Sequence, residues 1–582
     1  MEPLSGSCHK ALLEIGGNTI LGRALDSLVM AGVGPITVVT GYRSDDITEF
    51  VSANYPGAAV RYVHNGRYAT TNNIVSLALA LESLSYEDDV VLIECDLLFR
   101  PHLIALLGEY PGKNVALVDR YRTGMDGTVV AAENGYVTQV FPTAAQGADF
   151  RLGDKFKTLN IYKFDREFCQ KTLRPMLSAY AEHVDDNCYY ELVLGMLANI
   201  PEHRIWARVV DESDWVEVDD PNDLSAARFA FDTQQRAKIL DRSFGGHWSF
   251  GVLDFSLPRN AYFPSAAMHA ALRHSMPDVI TGYGSCQEIL DEKAALFLGC
   301  TPNYVRLLNG ASQAYPILRE AWEGKCVAIP APTFGEYPRC FPGAVCYQDS
   351  PGIDKRQFER CAGAAGLMVV VNPNNPSGTV VPSHEIYDLA ARTPGTMFLV
   401  DESFLAFTGQ PSLIRLLEGK PLGNVAVLTS LGKSLGVPGL RLGYLYSQNV
   451  PLLQVLDEHM PIWGVNALAE FFLELTIKFR GDLQESIGLT VAERTRMRRE
   501  LAKVPLIRRV HDSGANFLLT ELHGDDPGVA SSLRQELLAA SRIEVKDVSA
   551  KYADRRPRLR LSVRTREEND LLLRSLSAVA GP

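Results

Sequence analysis

Three side chains stand where their chemistry has a use. Asp96 lies where the apolar run "VVLIEC" gives out, and a carboxylate at such a strand end is a hard oxygen donor well placed to hold a metal. Asp401 closes another apolar run, "TMFLVD", in the same way. Lys433 sits between Ser430 and a Gly-rich turn, and its amine can attack a carbonyl carbon and then move protons. The histidines, His247 and His269 among them, gain no catalytic role from their surroundings. Cysteines fall at positions 8, 95, 169, 188, 286, 300, 326, 340, 346 and 361, without a CxxC or any metal-ligand spacing. They read as buried thiols of a reducing compartment.

The elements that must position these groups follow from apolar patterning. "PITVVTGY" reads as a strand, "DITEFVSANY" as a helix and "DDVVLIECDLLF" as a strand. Such alternation predicts a parallel, doubly wound α/β sheet, whose sites lie beyond the carboxyl ends of its strands. At roughly 150 residues per domain, 582 residues imply more than one folding unit. The pattern changes between 220 and 250, where Pro221 to Leu240 is helix-periodic and Gly245-Gly246 marks a turn. The predicted domains are 1–235 and 245–582. With 46% hydrophobic and 22% charged residues the chain has ordinary globular composition, which excludes a disordered or collagen-like protein. A formal net charge of −12 disfavours nucleic acid and anionic membranes as partners. No run approaches the ~20 apolar residues of a membrane span, and a polar segment rather than a signal peptide follows Met1. A cytoplasmic location is expected.

In the first half, "HKALLEIGGNTILGRALDSLVMAGV", "TTNNIVSL", "ECDLLF", "KTLNIYKF", "NCYYE" and "WVEVDDPNDL" occur in the order found in sugar-phosphate and phosphocholine nucleotidyltransferases. The chain resembles the cytidylyltransferase branch of that family, which acts on choline phosphate and aminophosphonates. The resemblance implies CTP as nucleotide and Asp96 and Asp219 as Mg2+ ligands. Lys10 and Lys157 would neutralise phosphate or phosphonate oxygens, since joining two anions requires their repulsion to be cancelled. Asn72 and Asn73 would orient acceptor or nucleotide, although both could equally cap the helix that follows. Family members carry a strand and a Gly-rich phosphate loop about ten residues before the position of Lys10. That strand and loop are expected to be lacking from the sequence as given.

In the second half, "GYGSCQEILDEKAALFLGC", "NGASQAY", "PAPTFGEY", "NPNNPSGT", "VDESF" and "TSLGKSLGVPGLRLGYL" resemble a fold-type I pyridoxal-phosphate enzyme with large and small domains. The resemblance implies that Lys433 binds the cofactor aldehyde covalently and that Asp401 pairs with its pyridinium nitrogen. Asn375 would hydrogen-bond the ring oxygen and Phe334 would stack on the ring. Gly310, Ala311 and Ser312, helped by Ser430 and Arg441, would hold the cofactor phosphate. Tyr283 would reach the phosphate of a neighbouring subunit in a homodimer.

Within this family the chain is closer to threonine-phosphate decarboxylases than to histidinol-phosphate aminotransferases. Phe404 stands where many aminotransferases place a hydrogen-bonding Tyr, and Arg564 in "RLRLSVRT" replaces their usual Gly. Arg560 matches the family's substrate-anion arginine, and Arg564 would add charge for a phosphorylated side chain. The order of the two halves resembles the fused nucleotidyltransferase/decarboxylases of phosphonate antibiotic pathways. That implies CMP transfer to 2-amino-4-phosphonobutyrate and its decarboxylation to CMP-3-aminopropylphosphonate. The alternative is an aminotransferase joined to a non-catalytic nucleotide-recognition domain.

Overall fold

Apolar strands alternating with amphipathic helices organise the computed structural model, which describes residues 8–147, 149–350 and 352–580. The chain divides into two units, Met1–Gly251 and Val252–Pro582. Among the described residues no helix is long and apolar enough to cross a membrane.

In the first unit, helix Ile20–Met30 begins at Thr19, whose hydroxyl accepts from the Gly22 amide, and it buries Ile20, Leu21 and Leu25. A six-stranded sheet runs in the order Val90–Ile93, Phe156–Phe164, Asn114–Arg120, Ile205–Val209, Tyr136–Phe141, Val129–Glu133. The predicted parallel pairing is present between Asn114–Arg120 and Ile205–Val209, and between Ile36–Thr40 and Val60–His64 in a separate sheet. Elsewhere the direction differs from expectation. Strand Phe156–Phe164, buried over nearly its whole length, runs antiparallel to both of its main neighbours. The last two strands form a hairpin turning at Asn134 and Gly135, whose φ values of 51° and 81° suit a tight two-residue turn. Alternation specifies which residues are buried but carries no strand direction, so a hairpin and an inserted strand change the sheet without changing its pattern.

One short pairing sets the site of this unit. Strand Leu97–Phe99 runs antiparallel to Trp215–Glu217, with Leu97 opposite Glu217. The Val218 amide then donates to the Asp96 carbonyl at 3.0 Å. Two segments distant in sequence, "ECD" and "VEVDD", are thereby laid side by side.

The second unit holds a seven-stranded sheet in the order Val305–Asn309, Leu442–Ser447, Val425–Ser430, Met397–Asp401, Leu367–Val371, Val327–Ala331, Val345–Gln348. Its strands are parallel except Leu442–Ser447, which opposes both neighbours. Leu367, Val369, Phe398, Leu399 and Val427 are fully buried, the continuous apolar run expected of a sheet covered on both faces. Each contributes about 1.5–3 kcal/mol by burial, which makes a stiff platform for the residues at the strand ends. Asp401 and Ser430 are the last residues of adjacent parallel strands, and Asn375 and Phe334 follow closely on two others. A separate four-stranded antiparallel sheet carries Arg560 on Arg558–Ser562.

Candidate active sites

In the first unit Lys10 bridges the two predicted metal ligands. Its Nζ lies 3.1 Å from Asp96 Oδ2 and 2.5 Å from Asp219 Oδ1. Burial alone would lower the Lys10 pKa, but the two carboxylates outweigh it and the value is raised. Lys157, almost wholly buried on the long central strand, pairs with Glu217 Oε2 at 3.0 Å, and its pKa is likewise raised against the pull of burial. Gly127 (φ +78°) lets the chain approach this lysine, since a Cβ there would stand 3.0 Å from Lys157 Nζ.

Oxygen ligands gather around Glu217, a residue quoted in the sequence motif without a role. Glu94, Asp96 and Glu217 offer carboxylate oxygens all within 4.8 Å of one another, and so do Asp126, Glu217 and Asp219. Asp96 and Asp219 thus fall in different groups, joined through Glu217. Burial, and then the charges of Glu191 and Asp96, push the Glu94 pKa up to about 8. Burial raises Glu217 to about 7 against the charge of Lys157. Asp96 Oδ1 and Glu191 Oε2 are buried without a hydrogen-bond partner. Crowded carboxylates with an unpartnered oxygen fit a hard divalent cation such as Mg2+, with Asp96, Asp219 and Glu217 as candidate holders.

The two asparagines are occupied by the scaffold. Asn72 is the N-cap of helix Asn73–Glu82, and its side chain accepts from the Asn73 amide at 2.8 Å. Asn73 donates to Glu94 Oε1 at 3.2 Å and accepts from the Tyr190 amide at 3.0 Å. The capping role is the one this geometry displays for Asn72. Asn73, with Asn160, instead orients Glu94.

In the second unit the buried Asp401 carboxylate is held from both sides. Its Oδ2 accepts from the Tyr337 hydroxyl at 2.7 Å, and its Oδ1 from the Ser403 hydroxyl at 2.6 Å and the Ser403 amide at 3.0 Å. Ser403 Oγ in turn accepts from the Ser430 amide at 2.9 Å. Lys433 follows on the short helix Leu431–Ser434. Burial first, then the positive charges of Arg560 and Arg441, lower its pKa to about 8.

Arg441 Nη2 donates to Ser312 Oγ at 2.7 Å beside the 3-10 turn Ala311–Gln313. Gly310 (φ +73°) leaves room for that guanidinium, because a Cβ there would stand 2.5 Å from Arg441 Nη2. Arg560 Nη1 donates to Asn375 Oδ1 at 2.6 Å and its Nη2 to the Ser256 carbonyl. Phe334 is partly exposed and adjoins Tyr315 and Tyr337. A lysine of lowered pKa, an oriented carboxylate and a glycine cradle beside Ser312 and Arg441 together fit pyridoxal phosphate.

One expectation meets a different geometry. Arg564 donates to Glu568 Oε1 at 2.7 Å and to the Asp254 carbonyl at 2.9 Å, so its charge is neutralised within the scaffold rather than left for a substrate. Tyr283 is 80% exposed and its ring stacks on Trp463 at 4.3 Å. Phe404 packs edge-on against Phe517 and supplies no hydrogen-bond donor.

Tyr337, Ser403 and Glu217 complete these sites without having been assigned roles from sequence. All three lie inside the quoted motifs "PAPTFGEY", "VDESF" and "WVEVDDPNDL". Membership of the motif is the signal that could have found them.

Comparison with known proteins places both units. Residues 249–576 match the aminotransferase class I and II family, and residues 4–149 match the MobA-like NTP transferase domain. The chain is 32% identical to CMP-5'-(3-aminopropyl)phosphonate synthase of Streptomyces rubellomurinus, over 98% of this chain and 92% of that one. L-serine phosphate decarboxylase of Sulfurospirillum multivorans is 27% identical over 52% of this chain and 80% of its own. Among solved structures, L-threonine-O-3-phosphate decarboxylase from Porphyromonas gingivalis shares the fold of the second unit. Its TM-score is 0.51 at 22% identity, covering 57% of this chain and all of that one.

Proposed function

Because the chain belongs, over nearly its whole length, to the family of CMP-5'-(3-aminopropyl)phosphonate synthase, we propose that it transfers CMP from CTP to an aminophosphonate and decarboxylates the amino acid. The proposed substrate is 2-amino-4-phosphonobutyrate and the proposed product CMP-3-aminopropylphosphonate, within phosphonate antibiotic biosynthesis. The observation that carries this reading is the presence in one chain of both charge arrangements: Lys10 between Asp96 and Asp219, and Lys433 near an oriented Asp401.

In the first reaction a phosphonate oxygen attacks the α-phosphorus of CTP and the bond to pyrophosphate breaks. Mg2+, when bound, supplies positive charge for the triphosphate oxygens. Asp96, Asp219 and Glu217 hold it, while Lys10 and Lys157 cancel phosphate charge.

In the second reaction the bond from Cα to the carboxylate breaks, carbon dioxide leaves, and a proton is returned to Cα. Pyridoxal phosphate, when bound, supplies an aldehyde that condenses with amines and a ring that accepts the electrons of the broken bond. Asp401, fixed by Tyr337 and Ser403, holds a proton at the ring nitrogen. Lys433, whose lowered pKa leaves much of it neutral near pH 8, carries the proton. Arg441, Ser312 and Ser430 hold the cofactor phosphate, and Arg560 faces the substrate's anionic end. Phe404 offers the ring oxygen no donor, the feature that favours decarboxylation over transamination. Assembly as a homodimer through the second unit, with Tyr283 given to the partner, and a cytoplasmic location belong to the same proposal.

Incubation of the protein with CTP, Mg2+ and 2-amino-4-phosphonobutyrate tests it. Pyrophosphate, carbon dioxide and CMP-3-aminopropylphosphonate are the expected products. Release of carbon dioxide without pyrophosphate would reduce the first unit to a recognition module.

A further inference from the structure

The rim of the second site carries another cation that the reaction as described leaves unused. Lys551 ends the 3-10 turn Ser549–Lys551, beside the sheet that bears Arg560. Its Nζ donates to the Thr333 carbonyl at 2.7 Å and stands 3.9 Å from where a Cβ on Gly335 would lie. Thr333 and Gly335 flank Phe334, so the ammonium is fixed next to the residue expected to stack on the cofactor ring. Thr333 also donates to Asn374, the neighbour of Asn375.

Among the described residues no carboxylate pairs with Lys551; its one bond is to a neutral carbonyl. The residue is open to solvent, yet the packing around its ammonium, and then the positive charges of Arg560 and Lys546, lower its pKa to about 8. A solvent-open ammonium without a carboxylate partner keeps its charge available to an incoming anion. Lysine is a compact charge with three donors, of which one is spent on Thr333. Arg560, by contrast, is buried, and both of its Nη atoms are bonded, to Asn375 and Ser256.

We propose that Lys551 is a substrate-specificity residue that binds the distal phosphoryl oxygens of the amino acid, as free phosphonate or as its CMP ester. This rests on the reading of the second unit as an aminophosphonate decarboxylase. Holding the far end of the substrate leaves the bond to the carboxylate free to turn perpendicular to the ring, the orientation in which it can break.

The test uses the full-length holoprotein and its Lys551→Met, Lys551→Gln and Lys551→Arg variants. Binding of 3-aminopropylphosphonate, its CMP ester and propylamine is followed by the change in cofactor absorbance, which also reports that each variant is folded. In the expected result Lys551→Met and Lys551→Gln weaken a phosphoryl-bearing amine by about tenfold or more, as for a lost charge-assisted hydrogen bond. Propylamine binding stays unchanged and Lys551→Arg restores most of the loss. The ligand that loses more, free phosphonate or ester, is the natural one. Equal weakening of all three amines would overturn the proposal in favour of a scaffold role through Thr333. A phosphonate preference that survives Lys551→Met would overturn it alone. A wild-type protein that binds phosphonate and propylamine equally would overturn the proposal and the aminophosphonate reading together.

Discussion

The Tyr337 hydroxyl donates to Asp401 Oδ2 at 2.7 Å across 64 positions of sequence, both residues buried. That bond fixes the plane of the carboxylate on the side opposite Ser403. A hydrogen bond to a charged group contributes about 1.5–3 kcal/mol. Tyr337→Phe is therefore expected to lower kcat/KM for carbon dioxide release by about tenfold or more while the protein stays folded and yellow. Unchanged kinetics, measured by trapping carbon dioxide, would show that Ser403 alone orients Asp401.

Lys433 should react as a weakly basic amine. Its neutral form is the nucleophile, and burial with the nearby arginines lowers its pKa to about 8. The rate at which cofactor-free protein takes up pyridoxal phosphate is expected to rise as pH increases through about 8, not through the ordinary lysine range. Arg560→Gln removes one of the depressing charges and should move that midpoint upward. Lys433→Ala should abolish the borohydride-stable adduct, and a label found on another lysine would overturn the assignment.

Asp96→Ala and Asp219→Ala should each abolish magnesium-dependent release of pyrophosphate from CTP. The two carboxylates belong to one unit and the cofactor residues to the other, so the cofactor absorbance should be unaffected. Full transfer activity in both variants would remove the metal assignment.

Substrate labelled in its carboxyl group should yield labelled carbon dioxide with no oxo acid required. Label retained in an oxo acid, with the cofactor converted to its amine form, would decide for the aminotransferase.

Much of both sites was legible because their key residues sit in contiguous motifs. Lys433, Asp401, Asn375 and Ser430 need only local chain to be placed, since each follows directly from a strand end. Tyr337 and Glu217 also lie in contiguous motifs, but their partners do not: Tyr337 meets Asp401, and Glu217 meets Lys157, only because distant segments approach. Arg564 was read as a substrate cation, but it stands just before the N-cap Thr565 of helix Arg566–Val579, where Glu568 of the first turn reaches back to pair with it. The direction of strand Phe156–Phe164 was not legible, as a buried apolar run reads the same parallel or antiparallel.

Lys10 pairs with both Asp96 and Asp219. A metal ion held by those carboxylates competes with the lysine for their charge, and an incoming triphosphate offers the ammonium a second anionic partner. Cation and nucleotide are then thermodynamically linked, each raising the affinity for the other by the same factor. Lys10→Met should uncouple them: Mg2+ titrated alone would bind more tightly to the variant, and CTP would lose most of its ability to strengthen that binding.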